Sequence, residues 1–273
     1  MNDLTFLMPC KIESEDRLRN VVTSTTYLLK NFPESNLIIK EVDTTSNFKE
    51  KALPIIEKYV TTDKLTHIFE KSDNNFFHKT KILNDLLVAS KTDIVYNHDV
   101  DVILPIGSYT GAYNAIKKHD IDVVYPFGCG VYQWAVNYSQ ECFEQFLDSE
   151  FNFDILTPNR FRVASSIGWG QMIKRQSEIE CYMWNENFIS WGAEDCEFYF
   201  RLSSLGFKIG RINSDIYHFE HMRTHNSHYH NPKFMDNHNL WQSIRTWDIN
   251  KITEYYSSQK YVKLRRRELN VSV

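Results

Sequence analysis

Residues 96–105 read Y-N-H-D-V-D-V-I-L-P, so Asp99 and Asp101 stand one residue apart where an apolar run has just ended. Two carboxylates at that spacing offer hard oxygen ligands. Such ligands suit Mg2+ or Mn2+ shared with a phosphate, where the ion neutralises charge building on a leaving group. Asp is also the residue of turns at strand ends, and an Asp-x-Asp triplet arises about once by chance in a chain of this size. The chain supplies a second one, Asp120-Ile121-Asp122. Placement separates the two. Asp99 and Asp101 follow the strand-like D-I-V-Y-N-H, whereas Asp120 and Asp122 precede the strand-like V-V-Y-P-F. Ligands of open α/β sheets sit beyond the carboxyl ends of strands, which favours the first pair.

Two further clusters could do chemistry. In S-W-G-A-E-D-C-E-F (190–198), Glu194 and Asp195 fall in the first turn of an expected helix, where the helix dipole alone explains acids. Trp191 and Gly192 just ahead of them place a sugar-stacking face beside a carboxylate. The dipole is expected to keep that carboxylate ionised near pH 7, as a general base requires. The third cluster is His218, His221, Met222, His225, His228 and His230, six nitrogen or soft ligands within thirteen residues. A pure imidazole site would suit zinc, and one His joined to Asp101 would suit manganese.

The elements that must position these residues alternate over the first 125 residues. L-T-F-L-M-P (4–9) reads as a buried strand, and Ser14 with Glu15 and Asp16 starts a helix whose apolar stripe includes Leu18, Val21, Val22, Leu28 and Leu29. N-L-I-I-K-E-V-D (36–43), L-T-H-I-F-E (65–70) and D-I-V-Y-N-H (93–98) read as three more strands. F-F-H-K-T-K-I-L-N-D-L-L-V-A-S (76–90) reads as a helix with Ile82, Leu83, Leu86 and Leu87 facing in. That alternation predicts an α/β fold with parallel pairing. From about 126 the chain turns mixed and aromatic. A glycine-interrupted strand is expected over 163–173, a helix over 194–206 capped by Gly206, a loop over 217–234, and one or two helices from near Trp241.

Composition narrows the partners. With 273 residues the chain can bury a full core, and a net charge of −4 gives no general reason to expect nucleic acid. The basic run K-L-R-R-R-E-L (263–269) reads as a solvated helical face or, alternatively, a membrane-surface patch over 263–267. No apolar stretch is long enough for a transmembrane helix, and M-N-D-L-T-F-L-M-P lacks a signal-peptide layout. Five widely spaced cysteines without a C-x-x-C fit free thiols in a reducing cytoplasm.

Taken in order, Pro9-Cys10-Lys11, F-H-K-T-K-I-L-N (77–84), D-V-D-V-I-L-P (99–105) and W-G-A-E-D-C-E-F-Y-F-R-L (191–202), followed by a His-containing loop, resemble the β-1,4-galactosyltransferase family and its bacterial relatives. About 150 residues carry the motifs in order. The resemblance implies a GT-A fold, a Rossmann-like mostly parallel sheet flanked by helices. Its nucleotide-sugar half is expected over 1–125, a mixed acceptor half over 126–240 and a helical segment over 241–273. It implies a UDP-sugar donor, galactose or N-acetylgalactosamine, a Mn2+ or Mg2+ cofactor, and a glycan or glycolipid acceptor.

By the same resemblance Phe77 packs on the uracil, Pro9 and Lys11 meet the nucleotide, Asp99 lies near the ribose and Asp101 ligates the metal. Asp43, Lys81 and Val100 complete the expected donor side. Trp191 and Gly192 with Glu194 hold the acceptor, and Asp195 is the base. The remaining metal ligands are His221 with His218, or in an alternative register Met222 with His225. Ala193 and Cys196 depart from the family's glycine and aspartate, so acceptor identity stays open. An inverting transfer is expected, with a retaining or nucleotidyl transferase, or a non-catalytic sugar-binding relative, as alternatives.

Overall fold

The computed structural model describes residues 1–163 and 166–271. Its first part builds the alternation in order: β1 (Leu4–Cys10), α1 (Glu15–Asn31), β2 (Asn36–Asp43), a π-turn at Phe48–Ala52 running into α2 (Leu53–Ile56), β3 (Leu65–Lys71), α3 (Lys79–Ala89) and β4 (Ile94–His98). Every residue of β1 is buried, as a central parallel strand requires, while β3 alternates with exposed positions at the sheet edge. Ser14 caps α1 through its Oγ, which accepts the Arg17 N–H, and Glu15 and Asp16 fill the first turn.

The second part continues with β5 (Val102–Ile103), α4 (Ile106–His119), β6 (Val123–Tyr125), β7 (Gln133–Val136), α5 (Gln140–Asp148), β8 (Arg160–Arg162), β9 (Gly170–Lys174), α6 (Arg175–Glu180), α7 (Glu194–Ser204), β10 (Ile209–Arg211) and β11 (Ile216–Phe219). Helices α8 (Phe234–Ile244), α9 (Ile249–Ser258) and α10 (Lys260–Glu268) end it. A seven-stranded sheet runs β10-β6-β9-β4-β1-β2-β3, and only β9 is antiparallel to its neighbours. A second sheet runs β5-β11-β7-β8 and pairs His218 with Val102, directly after Asp101. The expected α/β, mostly parallel fold is therefore present.

Several expectations need correction. The segment from 217 begins as buried strand β11 rather than loop, because Ile216, Tyr217 and Phe219 pack into the core around His218. The strand expected over 163–173 is confined to β9, and Ala164 and Ser165 lie outside the described residues. The C-terminal part forms three helices and starts at Phe234. Gly206 does close α7, at φ +82. The basic run 263–267 is not uniformly exposed. Arg265 turns inward to Asp85 at 2.6 Å and Glu186 at 2.9 Å, pinning α10 against α3. Among the described residues no helix is long and apolar enough to cross a membrane.

Candidate active site

The carboxyl ends of β1 and β4, the start of α3, the start of α7 and the chain after β11 converge on one cleft of about 170 Å3. Asp101, in the turn between β4 and β5, faces two histidines. His221 Nε2 lies 3.2 Å and His218 Nε2 3.7 Å from its Oδ2. The outer ring nitrogens are already committed: His218 Nδ1 lies 2.9 Å from Glu220 Oε1, and His221 Nδ1 donates to the Met222 carbonyl at 3.0 Å. Those contacts set the Nδ1–H tautomer, so each neutral ring would aim an Nε2 lone pair at a carboxylate oxygen. That arrangement is repulsive unless a cation, proton or metal, stands between them.

The three ligand atoms lie within 4.8 Å of one another, close enough to share one ion. Burial works to raise the Asp101 carboxyl, yet positive charge on His218 and His221, with the His221 hydrogen bond, outweighs it and holds the carboxyl well below the usual carboxylate range. The donor set, one carboxylate and two imidazoles, fits Mn2+ or a similar divalent ion. The alternative register does not converge. Met222 is exposed, with its N–H donated to Asp16, and His225 hydrogen-bonds the Asn75 carbonyl.

Beside Asp101, Lys79 forms the second centre. Its Nζ lies 2.9 Å from Asp99 Oδ1 and 3.7 Å from Asp195 Oδ1, so one half-buried ammonium serves two carboxylates. Burial pushes the Asp195 carboxyl well above its ordinary value, and the like charges of Glu194 and Asp99 add to this against the pull of Lys79. Desolvation at this half-buried position thus works against the helix-end field that favours the ionised form.

The approach to α7 is strained. Ser190 (φ +62), Gly192 (φ +129) and Ala193 (φ +66) all have left-handed backbone, which costs energy at the two non-glycine residues. Glu194 steadies this loop by accepting the Gly192 N–H at 2.9 Å. Trp191, 38% exposed, stacks on Phe234 at 5.7 Å, and its carbonyl accepts the Asn237 side chain.

Of the other donor-side expectations, Pro9, Lys11, Phe77, Asp99 and Val100 line the cleft. Asp43 and Lys81 do not. Asp43 accepts the Thr44 N–H at the end of β2, and Lys81 pairs with Glu70 and Asp85. Helix geometry explains the lysine, since a residue two positions after Lys79 points to nearly the opposite side. The signal was in the sequence: Lys79, not Lys81, is in register with Ile82, Leu83 and Leu86. Sequence reasoning also missed Gly168, Trp169 and Asn226. Trp169 stacks on His218 at 5.5 Å. The Asn226 side chain holds the Phe77 N–H, Ser190 Oγ, Glu13 and the Asn75 carbonyl.

Comparisons with known proteins fall on the same elements. Residues 173–226 match the family model described as the N-terminal domain of galactosyltransferase. A search of curated proteins finds no match. Among solved structures, the chain is similar to the mannosyltransferase PcManGT from Pyrobaculum calidifontis in complex with GDP-Man and Mn2+. The TM-score is 0.55 at 13% identity, over 98% of this chain and 72% of that one. It is also similar to S. aureus TarS 1–349 in complex with UDP-GlcNAc, at TM-score 0.57 and 16% identity, over 96% and 72% of the two chains. The fold is thus that of GT-A glycosyltransferases, and the stretch carrying Trp191, Glu194, Asp195, His218 and His221 is the one a galactosyltransferase family model describes.

Proposed function

We propose that this chain is an inverting, metal-dependent glycosyltransferase that moves a hexose, galactose or N-acetylgalactosamine, from a UDP-sugar to a hydroxyl of a glycan or glycolipid acceptor. The observation that carries the reading is the convergence, in one cleft, of an Asp101–His218–His221 ligand set with a half-buried carboxylate, Asp195, at a helix start just after the exposed Trp191. Asp101, His218 and His221 would hold the ion, which when bound offsets the charge of the departing diphosphate.

The chain's own residues do the rest. Phe77, Pro9 and Lys11 form the wall on which a nucleotide would lie, and Trp191 offers a face to a sugar ring. Asp195 accepts the proton of the attacking hydroxyl. Its raised proton affinity suits that task, while Lys79 keeps the ionised form accessible. Asp195 is the single base proposed, and no carboxylate is assigned the role of opposed nucleophile, so one in-line displacement with inversion is the simplest course.

The test is a UDP-release screen across UDP-sugars with Mn2+, with and without mixed acceptors, run on the wild type and on Asp195→Asn. Donor-dependent release that falls by roughly a hundredfold in the variant, with nucleotide affinity within a few-fold, supports the reading. Silence on every donor would select a sugar-binding relative instead.

A further inference from the structure

The C-terminal helices carry charge that the transfer reaction does not use. Residues 241–271 hold seven Lys and Arg against three Asp and Glu, a net +4 in a chain whose total is −4. Arg265 is ion-paired to Asp85, Glu186 and Glu268, while Arg245, Lys251 and Arg266 lie over the Trp241, Trp247 and Tyr182 rings. Arg245, Lys251, Lys260, Lys263, Arg266 and Arg267 have no carboxylate within ion-pair distance among the described residues.

Helix geometry sorts α10 into two faces. At about 100° per residue, Tyr261, Val262 and Arg265 fall together, and all three are buried. Lys260, Lys263, Leu264 and Arg267 fall within one arc of roughly 100° on the other side, and all four are exposed. Leu264, 52% exposed, sits at the edge of that arc beside the three cations, and Ile249 at the start of α9 is 51% exposed.

We propose that this outer face of α10 is a docking surface for an anionic lipid bilayer. Charge complementarity selects the occupant. Three long, unpaired cations reach a layer of phosphates without needing the fixed geometry of a protein partner, and the leucine beside them enters the headgroup boundary. At nine residues the helix lies on the surface and does not span. Docking would hold the enzyme where lipid-linked acceptors are displayed, but the proposal does not depend on the transfer reading. The competing account is a solvated helical face.

The test is co-sedimentation of the full chain with vesicles of phosphatidylcholine, with and without phosphatidylglycerol. Binding is expected only to the anionic vesicles, with release in high salt. The combined Lys260→Gln, Lys263→Gln and Arg267→Gln variant should weaken partitioning by roughly a hundredfold, and Leu264→Ala should weaken it by a few-fold. UDP release with a soluble acceptor should stay at the wild-type level in both, which reports an intact fold separately from docking. Salt release of the wild type supplies the same answer should the triple variant fold poorly. Failure of the wild type to bind anionic vesicles, or equal binding by the triple variant, overturns the proposal. So does capture by soluble polyglutamate in place of vesicles.

Discussion

Gly168 and Asp195 are in such close contact that a methyl group on the glycine would lie 2.6 Å from the Asp195 Cγ, and nearer still to Oδ2. The proposed base therefore has one carboxylate oxygen against the backbone ahead of β9 and the other turned toward Lys79. Only a residue without Cβ leaves that rotamer open.

Gly168→Ala should displace the Asp195 carboxylate without touching the Asp101 ligand set. The expected outcome is a fall in kcat of roughly a hundredfold, of the order seen when a general base is lost, with UDP affinity within a few-fold of wild type. Steady-state kinetics beside a UDP titration measures both. Wild-type kcat in Gly168→Ala would show that the carboxylate can work from another rotamer.

The metal assignment separates the two Asp-x-Asp triplets. Asp122 is bound to Lys174 at 3.1 Å and accepts the Lys208 N–H, so it has structural work at the far end of the sheet. UDP should raise Tm only with Mn2+ or a similar ion present, because ligand bound to the folded form alone stabilises it. Asp101→Ala and His221→Ala should abolish that increment, and Asp122→Ala should retain it. Retention in Asp101→Ala would remove Asp101 from the site.

Much of this arrangement was legible in the sequence. β2 begins at Asn36 and ends at Asp43 as its pattern predicts, and the Asp99–Asp101 pair follows β4, because buried parallel strands write continuous apolar runs. What stayed hidden depends on contacts distant in sequence. His218 is strand rather than loop because β7 and β5 pair with it, and neither short strand has a pattern of its own. The raised proton affinity of Asp195 comes from desolvation and from like charges that include Asp99, distant in sequence, which a reading of the local helix start does not register. The close approach of Gly168 belongs to the same class.

A buried carboxylate away from the proposed chemistry gives a pH dependence of stability. Burial pushes Glu178 up to about 7 from its ordinary 4.5, against the opposing hydrogen bond from Asn97. A carboxyl with a raised folded-state value favours folding fully below its unfolded value, and that contribution is lost as pH rises through the folded value. Stability from this group should therefore decline between about pH 4.5 and 7, by ~3 kcal/mol at most. Glu178→Gln keeps the acceptor for Asn97 and removes the titration, so the difference in unfolding free energy between wild type and variant should vary over that window. Urea unfolding at intervals of pH measures it. A constant difference would mean that Glu178 titrates normally.

The last prediction concerns the segment that follows His221. Its composition offers little to bury, so its position depends on hydrogen bonds, and Asn226 supplies the principal ones. Asn226 joins the proposed donor wall, through the Phe77 N–H at 2.8 Å, to the proposed acceptor loop, through Ser190 Oγ at 2.9 Å. Glu13 and the Asn75 carbonyl take its amide protons. The proposed ligand set, which includes His221, would tie the start of the same segment to the metal. Metal and nucleotide should therefore stabilise the closed arrangement, excluding water from the reacting centre and completing the acceptor pocket, so that donor binds before acceptor. Limited proteolysis should show cleavage between 222 and 234 slowing only when Mn2+ and UDP-sugar are both present. Asn226→Ala should speed cleavage in the absence of ligands and raise KM for the acceptor, since the Phe77 N–H and Ser190 lose their shared partner. Equal cleavage with and without both ligands, together with an unchanged acceptor KM in Asn226→Ala, would reduce this segment to a surface loop that happens to carry one metal ligand.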